Sequence, residues 1–117
     1  MAAPNLLNPS VITGKTAVQA VGTSATAIVT NSASSDKVLK VNALYVSNVD
    51  GTNNADVNVD IFRSSVAYHI GKTIVVPADA TLDVISKPIY LEEGDTLRLT
   101  ANAASDLEAV CSYEDIS

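Results

Sequence analysis

The chain has 117 residues, 47% of them hydrophobic and 17% charged, which is apolar material enough for one folded domain and leaves no room for a second. Thirteen acidic against seven basic side chains give a net charge of −6, so nucleic acid and anionic membrane surfaces are repelled rather than bound. No apolar run approaches the roughly 20 residues needed to cross a bilayer, and an aromatic content of 4% without Trp leaves no stacking platform for single strands or sugars.

Residues 1–12 carry Pro4 and Pro9 and show no alternation, yet hold Leu6, Leu7, Val11 and Ile12, each unfavourable in water by roughly 1.5–3 kcal/mol when a burial site exists. They predict an extended N-terminal arm that docks either on its own sheet or on a neighbouring subunit. The start Met1-Ala2-Ala3-Pro4-Asn5 lacks the basic and apolar regions of a secretory signal, and the one cysteine, Cys111, has no partner for an internal disulfide. Folding in a reducing cytoplasm follows from both.

From residue 13 onward the apolar residues recur at every second position, the period of a half-buried strand. Strands are predicted over Thr16–Val21 and Ala25–Thr30, and then over Val38–Val46. That third run starts with Leu39, Val41, Ala43 and Tyr45 on one side, but it ends with Leu44 and Val46 on the side of Lys40 and Asn42. Asp56–Ile61 alternates most clearly, with Val57, Val59 and Ile61 opposite Asn58 and Asp60. Ala67–Val76, Leu82–Ser86 and Ile89–Leu91 follow, rich in residues that suit a pleated surface. Thr96–Ala101 turns Leu97, Leu99 and Ala101 inward, and Leu107–Tyr113 does the same with Leu107, Ala109, Cys111 and Tyr113. Turn residues separate these runs at Val21-Gly22-Thr23, Asn31–Asp36, Asp50–Asn54, Pro77–Asp79, Glu93–Asp95 and Asn102–Asp106. The pattern predicts an all-β fold: an antiparallel β-sandwich, jelly-roll-like, of about eight short strands over residues 13–117, preceded by the arm over 1–12. A turn near Ala103–Asp106 is the sole helical candidate.

Chemical motifs are scarce. Gly14-Lys15-Thr16 and Gly71-Lys72-Thr73 resemble the end of a phosphate-binding loop, but Pro9 and Val66 stand where its first glycine belongs, and both triplets lead into strands. His69 is the single histidine and Cys111 sits on a core face, so no nucleophile and base pair up. Glu92 and Glu93 are adjacent on a strand end and point to opposite faces, which suits a solvated corner better than paired-carboxylate catalysis. One Cys and one His cannot complete a zinc shell. The oxygen-rich loop around Asp50, Asn54 and Asp56 offers weak calcium ligands without the EF-hand pattern, the plain reading being a hairpin loop. No enzyme, no cofactor and no metal requirement follows from these residues.

Several strings carry a resemblance instead: Met1–Pro9 followed by Ile12-Thr13-Gly14-Lys15-Thr16, Lys37–Asn42, Val49–Asp56, Val76-Pro77-Ala78-Asp79, Ile89–Asp95 and Val110–Glu114. Together they span nearly the whole chain, and they resemble small virion structural proteins of tailed phages that infect marine cyanobacteria. The resemblance implies a virion component, made and assembled in the host cytoplasm, whose partners are copies of itself and the major capsid or tail proteins. It implies no catalytic residue. A capsid decoration or cement role is the leading expectation, and a tail or neck module binding a receptor or glycan through sandwich-end loops is the alternative. Subunit contacts are expected at Leu6, Leu7 and Val11 of the arm and at Leu44, Val46 and Phe62, which the alternation would otherwise leave in water. Burial under a loop of the same chain is the competing explanation for each.

Overall fold

Alternating side chains give each strand one oily face, and two sheets burying those faces against each other satisfy all of them at once. The computed structural model, which describes residues 3–117, takes that form. Its described residues contain nine strands and no helix: β1 (Ile12–Ala20), β2 (Thr26–Thr30), β3 (Val38–Asn48), β4 (Ala55–Arg63), β5 (Val66–Val76), β6 (Thr81–Asp83), β7 (Ile89–Leu91), β8 (Thr96–Ala101) and β9 (Leu107–Ile116). One sheet runs β1-β9-β3-β6, with β7 also on β3, and the other runs β2-β8-β4-β5; every pairing is antiparallel.

Strands β6 and β7 share one edge of β3, opposite Tyr45–Ser47 and Leu39–Val41 respectively. They are two pieces of one interrupted strand, broken where Pro88 removes a ladder donor. Counted so, the chain crosses to the other sheet at every step except β4 to β5, as an eight-strand jelly roll does. The predicted helical turn near Ala103 is a non-helical turn with Ser105 at φ 68°. Strand β1 begins at Ile12, four residues ahead of the predicted Thr16 and at the last residue of the predicted arm. Hydrogen bonds from Ser10 and Val11 N–H to the Ser117 carbonyl tie the base of the arm to the end of β9. Met1 and Ala2 of the predicted arm lie outside the described residues.

The core lies between the sheets, with Leu39, Val41, Leu44 and Val46 of β3 and Leu107, Ala109 and Cys111 of β9 facing Val57 and Val59 of β4 and Leu97, Leu99 and Ala101 of β8. Leu44 and Val46, expected at a subunit contact, are fully buried here, at 0% exposure. The cause is a β-bulge: opposite β9 the register shifts between Val41 and Ala43, so one extra residue of β3 enters the ladder and reverses the facing of all that follow. Tyr45, expected inward, is accordingly exposed at 45%.

Two buried asparagines fasten the loops at the ends of the sandwich. Asn31 donates from its amide to the carbonyls of Lys37 and Leu91, both at 2.9 Å, and accepts from Ser35. Asn48 donates to the carbonyls of Asn53 and Val76, both at 2.9 Å, and accepts from the Asp50 N–H. Such fully partnered polar groups fix loop positions without an unsatisfied donor.

Candidate interaction surface

Three carboxylates, Asp60, Asp95 and Asp115, are tied to cations of the same domain. Arg63, at the end of β4, grips the 1%-exposed Asp95 with Nε and a terminal nitrogen, each 2.6 Å from a carboxylate oxygen, and reaches Glu92 at 2.9 Å. Burial pushes the Asp95 carboxyl up, but Arg63 and the Glu92 N–H outweigh it and hold the group below its ordinary range. Asp115 is placed likewise: burial raises it, while Lys15 at 2.9 Å and Lys37 at 3.2 Å bring it down. Lys15, from the first Gly-Lys-Thr triplet, is therefore a strand residue with a structural partner.

The second triplet, Gly71-Lys72-Thr73, shapes an edge. Against β4, β5 slips register twice, between Val57 and Val59 and between Val59 and Asp60. Thr73 adopts φ 55° and donates its N–H to the Asn58 side chain at 2.6 Å. Gly71 admits the Ile74 side chain, whose Cδ1 lies only 2.2 Å from where an added Cβ would stand. Neither triplet builds a phosphate site.

The remaining candidates are kept apart. His69 is exposed on β5 opposite Asp60, whereas Cys111 is fully buried in the other sheet with its thiol pushed up to about 11 by burial. Asp50 accepts from the Thr52 N–H and the Asn53 amide, Asn54 accepts from the Ala78 N–H, and Asp56 donates its N–H to Asn102. The three calcium candidates thus serve separate loop contacts, and among the described residues no cluster of three His, Cys, Asp or Glu is placed to hold a metal ion. The loops 50–56 and 102–106 do meet, through Asp56 with Asn102 and Val49 with Asp106.

Exposed apolar side chains are the site-like feature that remains. On the arm, Leu6, Leu7 and Val11 are 48%, 94% and 55% exposed. The outer face of the β1-containing sheet adds one row across three strands, Val18 opposite Val110 opposite Tyr45, all exposed. Val18, Ala20, Glu108 and Val110 line a shallow open groove at the β1 end of that row. Phe62, expected at a contact, is half-buried and has the Arg98 guanidinium 4.0 Å over its ring, held there by Asp60 at 2.9 Å. Sequence reasoning missed Val18, Tyr45 and Val110. The signal was present in β3, where core residues step by two from Leu39 to Val41 and then by three to Leu44, the mark of a bulge.

The chain matches no protein-family model and no curated protein. Among solved structures it is similar to a protein of Bacillus endospore appendages, a family of disulfide-linked pili, with a TM-score of 0.55 and 17% identity over 92% of this chain and 87% of that one. A pentameric capsid protein from metagenomic phage sequences aligns with a TM-score of 0.39 and 17% identity, over 96% of this chain and 62% of that one.

Proposed function

We propose that this chain is a non-enzymatic structural subunit of a virion, a capsid decoration or cement component that binds the particle surface through apolar contacts and its arm. The observation that carries the reading is the arm itself: hydrogen-bonded to its own domain at Ser10 and Val11, it presents Leu6 and Leu7 to water with little cover from the described chain. Apolar surface of that kind is stabilised only when a neighbour covers it. The endospore appendage protein supports a building role for this fold, since it assembles into pili. Those pili are disulfide-linked, whereas here the single cysteine is buried in the core, so assembly of this subunit is non-covalent. The strings that resemble cyanophage virion proteins favour a particle over a fibre.

Deleting residues 1–10 tests the reading. The truncated chain should keep its Tm within a few degrees, because the core residues all lie beyond the arm, and should be incorporated into particles at least tenfold less than the full chain in a competition assay. Equal incorporation of the two forms contradicts the proposal.

A further inference from the structure

A jelly roll leaves sheet edges open, and an edge strand pairs with another chain unless something prevents it. The described edges of this molecule are unequal. Strand β5 is blunted by two register slips and by Thr73 in the left-handed region. Strand β2 is five residues long and bulged between Ala27 and Val29. The β6–β7 edge consists of two three-residue pieces with Pro88 between them. Strand β1 has no slip, no proline and no short break: it pairs with β9 from Ile12 to Ala20 in one register, and its one charged residue, Lys15, is drawn to Asp115, a carboxylate it shares with Lys37. Its other side has no strand partner among the described residues.

We infer that the free edge of β1 is the site where a second copy of this chain adds, β1 against β1 antiparallel about a two-fold axis at Thr16, joining the two β9-containing sheets into one. Full overlap of the nine-residue strand places Ile12 opposite the second copy's Ala20, Gly14 opposite its Val18, and Thr16 opposite Thr16. Val18 then meets a glycine with open space around it, and each Lys15 faces an alanine rather than another charge. The same pairing carries each arm, which begins just before Ile12, to the end of the second copy's β1, where the Val18–Val110 groove lies. The part of each arm that lies over the groove is covered there across the two-fold axis, and the rest stays open to the particle surface. The arm is needed, since one strand ladder is small against the roughly 800 Å² per partner of a standard interface. A second copy's arm is a poorer occupant of the edge itself, because Pro4 and Pro9 flank a hydrogen-bonded turn from Asn5 to Asn8. The pairing closes after two copies, as an isologous contact must.

The inference deepens the structural-subunit reading, on which it rests for the expectation of self-association, and the experiment separates the two. The full chain is sized by light scattering at about 100 µM, well above the micromolar range of a modest interface, and should show twice its 12.1 kDa mass. Thr16→Lys, on an exposed outer-face position, should weaken the dimer at least tenfold, because two like charges meet on the axis, without lowering the Tm read at a dilution where both forms are monomeric. Thr16→Cys should cross-link copies on mild oxidation, opposed Cα atoms lying about 4.5–5.5 Å apart. Thr13→Cys should not, its two copies being about 20 Å apart along the ladder. A monomeric wild type overturns the β1 interface, as does an oligomer unmoved by Thr16→Lys or cross-linked equally through Thr13→Cys. The particle-incorporation assay then judges the subunit reading separately.

Discussion

Asp95 and Asp115 show how single residues hold this fold. Each is a buried carboxylate kept charged by cations that the sheet register delivers, Arg63 to Asp95 and Lys15 with Lys37 to Asp115. Both have their pKa lowered by folding, so their stabilisation is complete above the ordinary Asp value of about 3.9 and is lost as pH falls through the folded values. Urea midpoints should therefore be flat between about pH 7 and pH 5 and fall below about pH 4. Asp95→Asn should cost about 2 kcal/mol at pH 7, where it leaves Arg63 facing a neutral amide, and less at pH 3, below the ordinary Asp value, where the contribution of the wild-type charge is already declining. Equal losses at both pH values would show that the pair contributes shape and not charge. Lys15 is shifted the other way, raised mainly by its hydrogen bond to Asp115, so its share persists below about pH 10 and fades above it.

At the scale of one element, β3 decides how the sandwich is filled. Its bulge between Val41 and Ala43 sends Leu44 and Val46 to the core and Tyr45 to solvent. Leu44→Ala should then cost about 2–5 kcal/mol, as large-to-small core changes do, whereas Tyr45→Ala should cost less than about 1 kcal/mol. Chemical denaturation of the two variants distinguishes the bulged register from an unbroken alternation, which reverses the order. Strand β5 uses the same device differently: its slips at Gly71 and Thr73 leave the inner ladder irregular and the edge unreceptive. One bulge repacks a core and another guards a border.

For the whole molecule, stability and the proposed association are drawn from separate surfaces. The core between the sheets holds the one cysteine, while exposed apolar residues sit on the arm, on the outer face of the β1-containing sheet and along β5. Cys111 should react with a thiol reagent at least a hundredfold more slowly in the folded chain than in denaturant, since the thiol is buried and shifted to about 11. Assemblies should accordingly survive reductant unchanged. Their dissociation by dithiothreitol in a sizing experiment would place a covalent link where the fold has none.

Alternation along Asp56–Ile61, Thr96–Ala101 and Leu107–Tyr113 was enough to fix the class of fold, because a period of two commits a strand to one oily face whatever it packs against. Composition and the lone His69 and Cys111 likewise limited the chemistry without a structure. The facing of Leu44, the Arg98 cover on Phe62 and the exposure of Val18 beside Val110 were decided by contacts between residues 36 to 92 positions apart in the chain, as in Phe62 with Arg98 and Val18 with Val110. A bulge is a property of two strands together: the extra residue is defined only by the partner it fails to meet. For the same reason the open edge of β1 belongs to the folded sheet, and no local pattern in its nine residues marks it as unpaired.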